Sequence, residues 1–183
     1  MGTISAFVHV SVDGFFAGPN GEIDWFKTIQ KDSAYDAYIH QQSGSGDTLL
    51  MGRTTYEMMK SYWPTEDARK NDPAMASVMN DSPKIVFSKT LDPEQDWKNV
   101  TVVREIDSKE ILALTESGDA TILGSGTIVQ QFTNLRLIDR YALVVVPLLL
   151  GAGKALFQDV DGLDLKLDES RSFGNGIVVS KYS

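Results

Sequence analysis

The most informative segment of the chain is residues 48–57, Thr48-Leu49-Leu50-Met51-Gly52-Arg53-Thr54-Thr55-Tyr56-Glu57. The first four residues predict a buried strand, and a helix is predicted to begin near Thr54. Gly52 and Arg53 form the turn between the two. Thr54 and Glu57 fit a capping box, in which each side chain satisfies a backbone N–H of the first helical turn. A buried strand that leads directly into a helix is the unit from which parallel α/β sheets are built.

The same alternation of strands and helices continues on both sides of this segment. Strands are predicted over residues 4–12, 84–88, 100–103, 121–123 and 138–146, and helices over 24–29, 33–42, 73–79, 108–116 and 127–134. Residues 62–70 are predicted to be a polar loop, and the tail to form strands over 163–169 and 176–182. This order predicts one α/β domain, residues 1–183, with a mostly parallel central sheet and an antiparallel C-terminal hairpin.

The composition excludes several classes of protein. The chain has 17 Lys and Arg residues against 25 Asp and Glu residues, and its net charge of -8 argues against a nucleic-acid partner. It has no cysteine, which excludes disulfides, thiolate catalysis and cysteine-ligated zinc. His9 and His40 are the two histidines and no HExxH pattern occurs, so a His-based metal site is not expected. An all-carboxylate site stays open, and no metal ligand is assigned. We expect a cytoplasmic protein, because no signal peptide and no membrane-spanning apolar run is present.

Four predicted strand ends carry residues that suit ligand binding. They are Asp13-Gly14, Gly52-Arg53-Thr54-Thr55, Ser88-Lys89 and Gly124-Ser125-Gly126-Thr127. Ligands of open α/β sheets bind beyond the carboxyl ends of the strands, and helix N-termini attract phosphate groups. Each segment alone also has a structural explanation, such as a capped helix, a tight strand–helix packing, a solvated lysine or a common Asp-Gly turn. The prediction of a ligand site therefore rests on their convergence. The glycine spacings match neither the Rossmann fingerprint nor a P-loop.

Substrate-binding candidates lie near the first strand. Asp13 has the same strand parity as His9 and Ser11, so it is a candidate to bind the N–H edge of a heterocycle or to help supply a proton. Trp25 and Phe26 could stack on a ring, or they could belong to a lid or to the core. His9 itself is more typical of a hydrogen-bonded buried histidine than of a catalyst.

Taken together, five segments resemble one family, the stand-alone relatives of the C-terminal reductase domain of riboflavin-biosynthesis deaminase–reductases. The segments are Ser11-Val12-Asp13-Gly14, Asp24-Trp25-Phe26, Leu49 to Glu57, Leu123-Gly124-Ser125-Gly126, and Val146 to Phe157. The resemblance extends from Ile4 to Val179. It implies the dihydrofolate-reductase-like fold, a three-layer α/β/α arrangement.

The resemblance also implies an activity and a site. The implied protein is an NADPH-dependent oxidoreductase that transfers hydride to a small pteridine- or pyrimidine-like ring. The implied oligomeric state is a homodimer. The implied cofactor contacts are Gly52, Arg53, Thr54 and Thr55 at the phosphates, Ser88 and Lys89 near the adenosine 2′-phosphate, and Gly124, Ser125, Gly126 and Thr127 near the pyrophosphate and nicotinamide. Asp13 would face the substrate as the catalytic candidate, with Gly14, Trp25 and Phe26 beside it.

Two departures from the family limit what the resemblance implies. The zinc site of the deaminase half has no counterpart, because the chain has no cysteine. The carboxylate that dihydrofolate reductases place on their first helix has three alternative counterparts, Asp24, Asp32 and Asp36, so dihydrofolate itself is not the expected substrate. A non-catalytic module that binds a nucleotide, pterin or flavin on the same fold is the alternative function. A phosphate-ester hydrolase or kinase is disfavoured, because no Walker A motif and no clear nucleophile–base pair is present.

Overall fold

A twisted parallel sheet forms the centre of the structure, a computed structural model that describes residues 2–43, 47–114, 116 and 118–183. Its strands are β1 (Ile4–Ser11), β3 (Thr48–Gly52), β4 (Lys84–Phe87), β5 (Val100–Val103), β6 (Ala120–Leu123), β7 (Arg140–Val146), β9 (Leu167–Ser172) and β10 (Val178–Tyr182). Among the described residues the strand order is β5-β4-β3-β6-β1-β7-β10-β9. The first six strands in this order run parallel to one another, and β10 pairs antiparallel with both β7 and β9. The predicted parallel sheet with an antiparallel C-terminal hairpin is confirmed.

Helices cover both faces of the sheet. They are a short 3-10 helix (Asp24–Thr28), α1 (Ser33–Gln42), α2 (Arg53–Tyr62), α3 (Glu66–Asn71), α4 (Pro73–Asp81), α5 (Ser108–Leu114) and α6 (Gly126–Asn134). On one face, helices α5 and α6 pack against side chains such as Leu50 and Ile85. On the other face, α2 and α4 pack against Met51 and Val86, and α1 packs against β7. Adjacent residues of one strand are therefore buried on opposite faces, which explains why the central strands are apolar without alternation.

Residues 62–70, predicted to be a polar loop, instead contain most of helix α3. The Thr65 hydroxyl accepts the Ala68 N–H at 3.2 Å and so caps the helix. Glu66 and Asp67 lie in the first turn and basic residues in the last, as the helix dipole favours. Ala68 is the single buried residue of this helix, and one buried residue gives no hydrophobic periodicity. The helix could therefore not be predicted from such a pattern.

A small two-stranded ribbon, absent from the sequence prediction, folds over the sheet. It consists of β2 (Phe15–Ala17) and β8 (Lys154–Ala155), which pair antiparallel. A Cβ atom on Gly153 would lie 2.3 Å from the Ala17 carbonyl oxygen, so the close approach of the two segments requires glycine there. The ribbon ties the loop after β1 to the segment after β7. In the described part of the chain, no helix combines the length and apolarity needed to cross a membrane.

Candidate active site

A cleft of about 1150 Å³ opens at the carboxyl ends of β3 and β6. Its walls come from β1, the ribbon, α1, α2, the start of α4 and the beginning of α6. Binding clefts for small organic ligands usually have volumes of about 300–1,000 Å³. This cleft therefore has room for an elongated ligand, or for two ligands side by side.

Two predicted turns meet in this cleft. All eight residues of Gly52-Arg53-Thr54-Thr55 and Gly124-Ser125-Gly126-Thr127 line it. The Ser125 hydroxyl oxygen accepts the Gly52 N–H at 2.7 Å, and the same hydroxyl donates to Thr55 Oγ1 at 2.8 Å. Gly124 has a φ of 55°, a left-handed conformation that favours glycine. These two segments, both predicted as ligand-binding strand ends, therefore lie together in the fold although they are distant in the sequence.

The two helices that begin at these turns differ from the other α-helices in how their N-termini are capped. Side chains of Asp32, Thr65 and Asp72 accept backbone N–H groups at the starts of α1, α3 and α4, and Asp107 does so for α5. The N-caps of α2 and α6, Gly52 and Ser125, make no such bond. The free N–H groups and positive dipole ends of both helices therefore point toward the cleft, which is the arrangement that binds anions.

This result corrects the predicted capping box. Helix α2 already begins at Arg53, so Thr54 lies inside its first turn and is not the N-cap. Glu57 bonds instead to Arg53, whose Nε donates to Glu57 Oε1 at 2.7 Å. The capping-box pattern failed because the cap position is occupied by Gly52, which has no side chain to offer.

Arg53 connects the first turn to the loop after β4. Its Nη1 donates to the Thr90 hydroxyl at 2.8 Å. The Ser88 hydroxyl accepts the N–H groups of Thr90 and Leu91, and the Lys89 side chain is exposed. Neither Ser88 nor Lys89 lines the cleft among the described residues. The structure thus places this predicted pair beside the mouth of the cleft at the start of α2, outside its wall.

Asp13 and Gly14 lie away from the cleft lining. The Asp13 carboxylate accepts the N–H groups of Leu150 at 3.1 Å and Gly151 at 2.8 Å. Hydrogen bonding from Ser11 and from these backbone groups lowers the pKa of Asp13. The Gly14 carbonyl accepts the Leu156 N–H at 3.0 Å. Asp13 is therefore an ionised tether of the 147–156 segment, and this geometry gives no support to its predicted role as a proton source.

The two aromatic candidates divide between cleft and core. Trp25 and Phe26 stack with ring centroids 4.3 Å apart. Phe26 lines the cleft, whereas Trp25 is buried in the cluster around Tyr35 and Tyr38. Of the pair, only Phe26 is placed to touch a ligand in the described cleft.

The structure also separates the three alternative carboxylates. Asp24 is exposed and pairs with Lys27 at 2.5 Å. Asp32 accepts the N–H groups of Ala34 and Tyr35 at 2.9 Å and is occupied as the α1 cap. Asp36, one turn into α1, lines the cleft. It is the one of the three that remains available to a ligand.

His9 and Tyr35 form a hydrogen-bonded pair in the cleft wall. The sequence favoured a hydrogen-bonded histidine at position 9, but it did not predict Tyr35 as the partner. The His9 Nε2 and Tyr35 Oη atoms are 2.6 Å apart. The His9 ring packs edge-on against Phe7 and Phe26. Burial lowers the pKa of His9 to about 4, and burial together with the nearby Asp36 raises the pKa of Tyr35. Both side chains are therefore neutral at pH 7, and they can exchange the roles of donor and acceptor by a change of imidazole tautomer. The only sequence signal was the parity of His9 on β1.

No group of three or more His, Asp or Glu side chains within the described residues is arranged to hold a metal ion.

The comparisons with known proteins agree with this geometry. A model of the RibD C-terminal domain family matches residues 3–179. The YyaP protein of Bacillus subtilis (strain 168), which is uncharacterized, is 29% identical over 177 residues, covering 94% of this chain and 90% of YyaP. A solved structure of a protein assigned to riboflavin biosynthesis from Shewanella sp. PV-4 has a TM-score of 0.74 at 23% identity, with 98% of this chain and 97% of that chain covered. Dihydrofolate reductase from Enterococcus faecalis, in complex with NADP(H) and RAB-propyl, has a TM-score of 0.63 at 15% identity, with 98% of this chain and 95% of that chain covered. These findings confirm the resemblance and the fold class, and the chain belongs to the RibD C-terminal domain family.

Proposed function

We propose that the protein is an NADPH-dependent reductase that transfers hydride to a small pteridine- or pyrimidine-like heterocycle. The observation that carries the proposal is the pair of helix N-termini, α2 and α6, that lack side-chain caps and open side by side on one cleft. A pyrophosphate offers two adjacent anionic groups to such a pair of helix ends. The family membership and the shared fold with a dihydrofolate reductase that binds NADP(H) support the same assignment.

The residues of the two turns fit the parts of the coenzyme. Gly52, Arg53, Thr54 and Thr55 would hold phosphate groups through backbone N–H groups and hydroxyls, and Gly124, Ser125, Gly126 and Thr127 would lie along the pyrophosphate and nicotinamide. Lys89, exposed beside the Arg53–Thr90 contact, would bind the adenosine 2′-phosphate together with Ser88. The bound coenzyme supplies the hydride, and the protein contributes binding and orientation.

The ribbon provides a cover for this end of the cleft. A Cβ atom on Gly126 would lie 2.2 Å from Cε1 of Phe16, so the Phe16 ring rests directly on the start of α6. Phe16 and Ala17 both line the cleft. A coenzyme bound at this turn would contact the ribbon, which would shield the nicotinamide from water.

Nucleotide titration tests the cofactor assignment. NADPH and NADH are added separately while the fluorescence of the reduced nicotinamide is followed. We expect micromolar binding of NADPH, and about 10- to 100-fold weaker binding of NADPH by Lys89→Ala, because one charge-assisted contact is lost. Lys166→Ala is the matched control, since Lys166 is exposed near the opposite edge of the sheet. Failure of both nucleotides to bind would remove the proposal.

One observation favours a second candidate, a non-catalytic module that binds a nucleotide, pterin or flavin. The predicted proton source, Asp13, is ionised and lies outside the cleft lining, while His9 and Tyr35 hold shifted pKa values that disfavour proton donation at pH 7. This alternative predicts ligand-induced thermal stabilisation without NADPH oxidation across a panel of pterins, folates, pyrimidines and quinones. Turnover with any panel member would reject it.

We also propose a homodimer. Strand β9 is the edge of the sheet and every residue in it is exposed. Alternating apolar side chains are exposed just before this strand and at its first residue, namely Leu163, Leu165 and Leu167. An exposed edge strand with apolar neighbours is a surface suited to pairing with a second chain. Light scattering coupled to size-exclusion chromatography measures the mass, and Leu167→Lys should shift it toward the monomer.

A further inference from the structure

Methionine side chains form one wall of the cleft. Met58 and Met59 on α2, and Met75 and Met79 on α4, all line it, and Met58 keeps 37% of its surface exposed. Trp63 lies beside them, and its indole N–H donates to the Met59 sulfur at 3.1 Å. Thioether side chains are flexible and polarisable, and they pack well against flat rings and irregular apolar groups. We call these four residues the methionine wall.

The charges at the methionine wall are already paired. His40, in the last turn of α1, contacts Asp72 at 2.8 Å, and Asp72 caps the α4 helix that carries Met75 and Met79. Other basic side chains among the described lining residues are Lys31, Arg53 and Lys154. Lys31 precedes the opposite end of α1, about 13 Å along the helix from His40.

Arg53 and Lys154 line other parts of the cleft, the start of α2 and the ribbon. Arg53 is held by Glu57 and by the loop after β4. Lys154 lies in the ribbon, 3.4 Å from the position of a Cβ atom on Gly21. The wall itself presents thioether side chains, and the basic side chain on the neighbouring helix, His40, is in contact with Asp72. A phosphate bound against the methionine wall would therefore lie on apolar groups, although phosphate recognition usually requires a cation.

The interior of the cleft beside this wall is polar but neutral. Tyr35 and Ile39 are one turn apart on α1 and both line the cleft, so the same helix face leads from the His9–Tyr35 pair toward His40 and the wall. The carboxylate nearest to this pair, Asp36, is exposed to solvent, whereas the pair itself offers hydrogen bonds without charge. Such a pair favours an uncharged heterocycle over a protonated one.

We propose that the substrate is an uncharged flat heterocycle with an apolar substituent, its ring at His9 and Tyr35 and its substituent against the methionine wall. A ring that carries a sugar phosphate is disfavoured. The inference rests on the proposed function, because it assigns to substrate the part of the cleft that the coenzyme leaves free.

Three flavin-related probes with closely related ring systems test the inference. Lumichrome has an uncharged tricycle with methyl groups, riboflavin adds a ribityl chain, and flavin mononucleotide adds a phosphate to that chain. Their affinities are measured by quenching of their own fluorescence, with and without NADPH. We expect lumichrome to bind most tightly and flavin mononucleotide at least about tenfold more weakly. Equal or tighter binding of flavin mononucleotide would overturn the proposal.

Variants of the wall make the test specific. Met58→Ser should weaken lumichrome binding about tenfold while NADPH affinity stays the same, and Met58→Leu should restore it, because a side chain of similar volume remains apolar. Leu135→Ser is the control, since Leu135 is exposed at the end of α6, outside the cleft lining. Unchanged lumichrome affinity in a folded Met58→Ser protein would refute the apolar subsite.

The two proposals fail separately. Absence of NADPH binding with the lumichrome order intact would remove the reductase assignment and leave the apolar subsite. Tight NADPH binding with a reversed probe order would leave the reductase assignment and remove the apolar substrate.

Discussion

Gly52 and Ser125 lie 73 positions apart in the sequence and are joined by one hydrogen bond, the Gly52 N–H to the Ser125 hydroxyl at 2.7 Å. The same hydroxyl donates to Thr55, so Ser125 holds the strand–helix turn after β3 against the turn after β6. The spacing between the two helix ends that lack side-chain caps therefore depends on one buried serine.

Replacing Ser125 by alanine should loosen both turns. The Gly52 N–H would lose its partner, and we expect the free energy of unfolding to fall by about 1–3 kcal/mol. NADPH affinity should fall as well, because the two helix ends would no longer be held in register. Urea denaturation and nucleotide titration measure the two effects, with Ser77→Ala on the exposed face of α4 as the control. An unchanged NADPH affinity would show that the link is structural only.

Asp13 variants should behave as loop variants. Asp13→Ala removes the acceptor for the Leu150 and Gly151 N–H groups, so the 147–156 segment should become more sensitive to limited proteolysis. Asp13→Asn keeps one carbonyl acceptor and should be affected less. NADPH binding should change little in either variant. If proteolysis of the two variants matches the native protein, the tether assigned to Asp13 is wrong.

His9 should make the protein sensitive to mild acid. Its folded pKa of about 4 lies below the ordinary value of 6.5, so the unfolded chain binds more protons between these values. The stability contributed by keeping His9 neutral is complete above about pH 6.5 and is lost as the pH falls toward 4. His9→Gln, which stays neutral and can still bond to Tyr35, should show a flatter profile in this window. The thermal unfolding midpoints of the native protein and of His9→Gln are compared at pH 4.5 and 7. An equal fall of the two midpoints would contradict the prediction.

Lys84 should produce a pH dependence of the same sign at alkaline pH. Its ammonium group is buried, donates to the carbonyls of Asn80, Ser82 and Lys98, and lies 4.5 Å from the Trp97 ring centroid. Burial, with a contribution from Lys98, lowers the pKa of Lys84 from 10.5 to about 8.

The unfolded chain therefore binds more protons between pH 8 and 10.5, and stability should rise with pH in this range by up to about 3 kcal/mol. Lys84→Gln, a neutral donor to the same carbonyls, should lose this rise. Urea midpoints at pH 7.5 and 9.5 measure it. A native protein whose midpoint does not increase would show that Lys84 keeps its ordinary pKa.

Features that depend on residues close together in the sequence were predicted, and features that depend on residues far apart were not. Helix α1 was predicted with its observed bounds, 33–42, because its Asp32 cap is a local signal. The ribbon was missed because its strands of two and three residues carry no periodicity, and each pairs with a segment far away in the chain.

The same division holds within the site. The rule that ligands bind at strand ends located both glycine turns, since parallel strands bring their carboxyl ends to one edge. It could not predict that Asp13 turns toward Leu150, nor that His9 meets Tyr35, because strand parity defines a face but not the partner on it. The methionine wall comes from the faces of two helices, α2 and α4, whose mutual placement depends on the whole fold.

Helices α2 and α6, which begin without side-chain caps, have a thermodynamic consequence. An anion that binds both ends completes the hydrogen bonding of two helices that pack on opposite faces of the sheet, so it binds the native chain and not the unfolded one. Folding and coenzyme supply then become linked equilibria, and the half-life of the protein against cellular proteases should lengthen as the coenzyme concentration rises above its dissociation constant.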